Sequence, residues 1–111
     1  MNPEYSIIIA TFPNKDSAKK IARLLVEQRL AACVQLLPIE SIYLWKDEIC
    51  DENEIMLLIK SKTILFEKIV SEIKTHHSYE LPEIIQLPIT AGLPEYLQWI
   101  DDSTNERQED T

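Results

Sequence analysis

The 111 residues are 45% hydrophobic and 27% charged, proportions of one soluble globular domain with a core of its own. A formal net charge of −8, with no cluster of Lys and Arg, excludes nucleic acid as a partner, because a phosphate backbone is repelled. A single glycine, Gly92, excludes a P-loop, a dinucleotide fingerprint and a glycine-rich kinase loop, each of which needs several glycines to let backbone approach phosphate.

Half of the negative charge is local. Asp101, Asp102, Glu106, Glu109 and Asp110 stand against Arg107 for a net −4, and the body to Ile100 carries the other −4. Cys33 and Cys50 match neither a CxxC redox pair nor a zinc spacing. No basic-then-apolar leader opens the chain, and no apolar run approaches the roughly eighteen residues of a membrane span. The expectation is a cytoplasmic protein, not bound to membrane, with both thiols reduced and serving as small buried hydrophobes.

In chain order, Tyr5 to Phe12 predicts a buried strand on Ile7, Ile8 and Ile9. Asn14 can cap a helix over Lys15 to Leu30, whose apolar residues Ala18, Ile21, Ala22 and Leu25 form one stripe. Ala32 to Trp45 reads as extended. Pro38 has no N–H to give a ladder, so this strand belongs at an edge or carries a bulge. Lys46-Asp47 suits a hairpin turn. The nearly continuous run Ile55 to Ile59 makes Glu54 to Ser61 a central strand.

A second helix follows from Thr63, read as its cap, to about His76, on the stripe Leu65, Phe66, Ile69 and Ile73. Glu83 to Pro88 is a short strand. Pro94 suits the first position of a last helix ending near Ile100. The order β-α-β-β-α-β plus a short helix predicts an α+β fold, the ferredoxin-like sandwich with a long hairpin between its second and third strands. One domain over residues 1–102 is expected, with an acidic, mobile, solubilising tail over 103–111.

Five patches carry a family resemblance. They are "RLAACV" (Arg29 to Val34), "SIYLWKDEI" (Ser41 to Ile49), "ENEIMLLIKS" (Glu52 to Ser61), "THHSYELPEIIQLPI" (Thr75 to Ile89) and "YLQWI" (Tyr96 to Ile100). The hairpin patch contains Tyr-x-Trp, and the fourth contains His-x-Tyr-x-x-Pro-Glu. In this order they resemble the CutA divalent-cation tolerance family. The resemblance implies a trimer of ferredoxin-like subunits shaped like the PII signalling proteins, a link to cation tolerance, and copper binding.

His76 and His77 are the only histidines, and imidazole is a common ligand for copper and zinc. Neighbouring side chains diverge, so the pair suits one histidine per site or a site completed across subunits. With Glu80 and Glu83 they make a candidate site for Cu(II) or another divalent cation. The plainer reading is two imidazoles placed favourably at a helix C-terminus. The copper site that the resemblance implies joins the histidines to a cysteine near the end of the first strand. Here Ala10 holds that place, and Cys33 lies in another patch. A soft thiolate is missing, which argues against Cu(I).

Tyr43, Trp45, Glu54, Lys60, Tyr79, Glu80 and Glu83 form a second set, able to line a pocket for a small polar ligand. Its other reading is structural, with Tyr43 and Trp45 as interface anchors and Lys60 paired with a glutamate such as Glu80. Conventional catalysis has little support, since Ser41, Ser61, Ser71 and Ser78 lack a nucleophile-elbow context. Two functions remain: a homotrimer that binds a divalent cation, and a PII-like signalling or scaffold trimer that holds a small anionic metabolite on Lys60.

Overall fold

The computed structural model describes residues 4–105. Four strands form one antiparallel sheet in the order β2-β3-β1-β4, from β1 (Tyr5–Phe12), β2 (Cys33–Trp45), β3 (Glu48–Lys62) and β4 (Ile84–Pro88). Helices α1 (Lys15–Glu27), α2 (Phe66–His76) and α3 (Pro94–Ser103) complete it, with a 3-10 turn over Thr63–Leu65 leading into α2. This is the ferredoxin-like plan expected from the element order.

The period of two in the strands decides which side chains meet the helices. Ile8, Ala10 and Phe12 of β1 lie beside Ile59, Leu57 and Ile55 of β3. All but the half-buried Ile55, which packs against them, join Ala18, Ile21, Ala22 and Leu25 of α1 and Ile69 and Ile73 of α2 in one buried cluster. Each fully buried Ile or Leu stabilises by about 1.5–3 kcal/mol. The alternate positions form the opposite face, where Ile7, Ile9, Met56 and Leu58 are half-buried and Leu37, Ile85 and Leu87 exposed.

Several boundaries differ from the sequence expectation. Asn14 caps α1 by accepting from the Ser17 N–H at 2.8 Å, as expected. The helix then stops at Glu27, not Leu30, because Arg29 turns left-handed at φ 58°. Its N–H bonds Val26 O and the next N–H bonds Leu25 O, the pair of contacts that usually employs glycine. Pro38 sits in register opposite Ile55, without a bulge, on an edge strand. Thr63 was expected to cap the second helix. It opens the 3-10 turn instead, and its hydroxyl lies 2.6 Å from Ser6 Oγ.

The expected domain boundary at Asp102 falls inside α3, which runs on to Ser103. Thr104 beyond it is buried, and its hydroxyl donates to Ile100 O at 2.8 Å. The rest of the expected tail, residues 106–111, lies outside the described residues.

Candidate functional site

The hairpin builds one wall of the site. Lys46 and Asp47 both have positive φ, 50° and 66°, the twist that lets a two-residue turn close a hairpin. That turn pairs Trp45 with Glu48, Tyr43 with Cys50 and Ser41 with Glu52. β1 reaches only as far as Ile55, opposite Phe12, so the hairpin beyond that point is a two-stranded ribbon. Sequence reasoning started β3 at Glu54 and missed its first six residues. Their apolar content is low, and they are strand only because β2 pairs with them.

Tyr43 and Glu52 are diagonal neighbours on one face of the ribbon, and the Tyr43 hydroxyl donates to Glu52 Oε2 at 2.9 Å. That bond is the main reason why the phenol is pushed up to about 12.

The loop after α2 builds the second wall, and His77 anchors it. Its Nε2–H donates to Thr11 O at 2.7 Å, and its Nδ1 accepts from the Tyr79 N–H at 3.0 Å. The ring stacks on Phe12 with centroids 4.4 Å apart and lies 4.6 Å from the Tyr79 ring. The Tyr79 hydroxyl reaches across and donates to Glu54 Oε2 at 2.8 Å. Burial first, and then this carboxylate, hold the Tyr79 pKa well above the ordinary 10.0. Both phenols are thereby kept protonated, which makes them hydrogen-bond donors to carboxylate and poor acid–base catalysts at neutral pH.

Between the walls is a cavity of about 480 Å³ lined by Thr11, Tyr43, Leu44, Trp45, Cys50, Glu52, Glu54, Tyr79, Glu80, Leu81 and Glu83. It unites Tyr43, Trp45, Glu54, Tyr79, Glu80 and Glu83 from the sequence candidates. Glu52 was missed, although the turn at Lys46-Asp47 alone fixes the register that brings it beside Tyr43. A larger hollow of about 790 Å³ lies between the end of α1 and α3, against Arg29, Lys68 and Trp99, and contains none of the candidates.

Lys60 does not line this cavity. It sits six residues along β3 from Glu54, about 20 Å in an extended strand. Its Nζ lies 3.2 Å from the Tyr96 hydroxyl and 5.4 Å over that ring. The expected pairing with Glu80 does not form; Glu80 meets Lys46 at 3.4 Å instead.

The metal candidates separate in the same way. His77 spends both nitrogens inside the chain. His76 is exposed, with Nδ1 3.0 Å from Glu72 O. Ala10, at the place of the expected cysteine, is fully buried in β1. Among the described residues, no group of three or more His, Cys, Asp or Glu converges as a metal site. One copy therefore offers carboxylates and one accessible imidazole, but not a complete coordination shell. No helix among the described residues is long and apolar enough to cross a membrane.

Known proteins are similar to this chain in sequence and fold. The profile of the family described as CutA1 divalent ion tolerance protein matches residues 6–103. The chain is 39% identical over 99 residues to the chloroplastic protein CutA of Arabidopsis thaliana, spanning 88% of this chain and 54% of that one. It is 42% identical to the divalent-cation tolerance protein CutA of Thermus thermophilus, over 88% and 96% of the two chains. It thus spans about half the length of the plant relative and nearly all of the bacterial one. Among solved structures, CutA1 from Shewanella sp. SIB1 matches with a TM-score of 0.91 at 43% identity, over 96% of this chain and 100% of that one. The periplasmic divalent cation tolerance protein CutA of Archaeoglobus fulgidus matches with a TM-score of 0.89 at 37% identity, over 91% and 99%. The match of the family profile over residues 6–103, with relatives about 40% identical and of the same fold, shows that this chain belongs to the CutA1 divalent ion tolerance protein family.

Proposed function

We propose that this chain is a non-catalytic, homotrimeric protein that takes up cations in the acidic cavity between the hairpin and the loop after α2. One observation carries the reading. Four glutamates line that cavity, and of these four only Glu80 has a cationic side chain of the described residues in ion-pair contact. Cu(II) or another divalent cation is the first ligand to test, with Glu80 and Glu83 as candidate ligands from the lining and the exposed His76, outside it, as a further one. A second copy would have to complete the shell. His77 supports the site by holding Tyr79 in place.

Trimer formation is supported by uncovered apolar surface. Ile42, Leu44 and Ile49 on the overhanging ribbon are 74, 69 and 79% exposed, and Leu44 and Ile49 are direct partners. The sheet face opposite the helices is apolar as well. Association that covers both ribbon and sheet removes a large exposed patch and a free strand edge together. The two free cysteines support a cytoplasmic location. The alternative of an anionic metabolite loses its charge partner, since Lys60 lies away from the cavity.

Two measurements test the reading. Light scattering at micromolar concentration is expected to give three times the chain mass, and an Ile49→Lys variant to give a smaller species. Calorimetric titration with Cu(II) is expected to show binding that weakens in a Glu80→Gln, Glu83→Gln variant. A monomeric wild type, or equal affinity in both proteins, would remove the corresponding half of the proposal.

A further inference from the structure

The hollow of about 790 Å³ between the end of α1 and α3 shares no residue with the hairpin cavity or with the apolar surface that association would cover. Its floor is low because Ala31 and Ala32, both buried, have only methyl side chains. Trp99 gives it an apolar wall, with 43% of the residue exposed. That wall is braced. The Trp99 ring lies 5.4 Å from the Tyr96 ring, and Lys60 Nζ lies 3.2 Å from the Tyr96 hydroxyl.

Arg29 and Lys68 bring two cations to the lining, and neither is in ion-pair contact with a carboxylate of the described residues. Among those residues the lining has one carboxylate, Glu27, which Arg23 meets at 3.0 Å. Of the other polar side chains, Gln28, Ser103 and the Trp99 indole can donate hydrogen bonds, while Thr104 gives its hydrogen to Ile100 O. Both cations stand where their own elements disfavour them. Lys68 is in the first turn of α2, where the helix dipole repels a cation. Arg29 carries a side chain at φ 58°, a position that glycine usually fills. The N–H groups of Gln28 to Ala31 already meet the carbonyls of Leu24, Leu25 and Val26, so the guanidinium is not needed to cap α1. Attraction of a cation to a helix C-terminus is smaller than the cost of a side chain in left-handed backbone. What the two positions have in common is the hollow they face.

A carboxylate can take a guanidinium as a bidentate partner and an ammonium as a point charge. An aromatic body gains from an indole beside it. The volume lies within the range of about 300–1,000 Å³ usual for small-molecule sites. The net charge of −8 does not prevent anion binding, because salt screens distant charges over about 8 Å and leaves the local ones dominant. We propose that the hollow between α1 and α3 is a binding site for a small aromatic carboxylate, with its charge on Arg29 and Lys68 and its ring against Trp99. This is a second site, independent of cation uptake at the hairpin.

The test titrates the full-length protein, in the assembly it forms, with phenylacetate by calorimetry. Phenylacetamide, which has the same ring and no charge, and hexanoate, which has the charge and no ring, run beside it. Phenylacetate is expected to bind, and phenylacetamide to bind at least about tenfold more weakly. Arg29→Gly is expected to lower phenylacetate affinity at least about tenfold while its melting midpoint rises, so that the loss is not one of folding. Lys68→Gln is expected to lower it about twofold to fivefold, the effect of an exposed charge. Trp99→Leu is expected to abolish the preference for phenylacetate over hexanoate. Should Arg29→Gly fail to fold, judged by circular dichroism, Lys68→Gln on the exposed face of α2 decides in its place. Absence of phenylacetate binding overturns the inference, as it would if a second copy filled the hollow. Equal binding of acid and amide overturns it too, because charge is then not recognised. Phenylacetate binding that neither Arg29→Gly nor Lys68→Gln weakens places the acid elsewhere and also overturns it.

Discussion

Tyr79 donates its hydroxyl hydrogen to Glu54 at 2.8 Å, and this bond ties the loop after α2 to the base of the hairpin. Tyr79→Phe keeps the ring and leaves a carboxylate that is 7% exposed without its donor. A hydrogen bond to a charged group contributes about 1.5–3 kcal/mol, and urea unfolding at neutral pH is expected to show a loss of that size. The pH dependence has a definite sign. The folded-state pKa of Tyr79 lies above the ordinary 10.0, so its contribution is complete below that value and is lost as pH rises through the folded value. The wild type is therefore expected to lose stability faster than the Phe variant above pH 10.0. Parallel alkaline limbs would show that the phenol is not linked to folding.

The adjacent histidines are expected to behave differently. His77→Ala removes bonds to Thr11 O and to the Tyr79 N–H, together with stacking on Phe12. The expected loss is about 2–4 kcal/mol by chemical denaturation. His76 is exposed, and His76→Ala is expected to change stability by no more than about 0.5 kcal/mol. A copper titration should therefore use the His76 variant alone. A doubled variant would confuse a lost ligand with a displaced Tyr79.

Arg29 holds a left-handed turn at φ 58° that closes α1. A side chain there costs about 1–2 kcal/mol, while glycine gives back about 0.4–1 kcal/mol through the freedom of the unfolded chain. Arg29→Gly is expected to stabilise by about 0.5–1 kcal/mol, seen as a melting midpoint a few degrees higher. A lower midpoint would mean that the guanidinium makes a contribution larger than the strain.

Strand and helix identity was legible in the sequence because each apolar pattern has its own period, as in Ile55 to Ile59 or the Ala18-Ile21-Ala22-Leu25 stripe. The ends were less legible. The stop of α1 depends on a left-handed Arg, which no glycine announces, and the start of β3 depends on β2 as a partner for polar residues. At the site, the motif around His77 and Tyr79 lies on the loop that forms one wall of the cavity. It did not show that His77 faces inward to Thr11 O while His76 faces water, because that depends on where α2 ends. Nor did spacing show that Lys60 and Glu54, on the same face of one strand, serve different ends of it.

The end of α3 gives the last expectation. The tail was expected to begin at residue 103, but residues 103–105 make structural contacts. Lys62 Nζ lies 3.3 Å from Asp101 Oδ1 and donates to Asn105 Oδ1 at 2.9 Å. Thr104 is 5% exposed and closes the helix on Ile100 O. A chain ending at Asp102 loses the last helical residue, a buried threonine and one bond to a half-buried ammonium. It also puts a terminal carboxylate beside Asp101. The expected cost is about 1–3 kcal/mol, read as a melting midpoint lower by several degrees. Residues 106–111 contain no apolar side chain to offset the entropy of ordering them. A chain ending at Asn105 is therefore expected to melt with the full-length protein and to keep its oligomeric mass. If both truncations melt alike and below the full chain, residues 106–111 carry stability, and the boundary drawn here at Asn105 is in the wrong place.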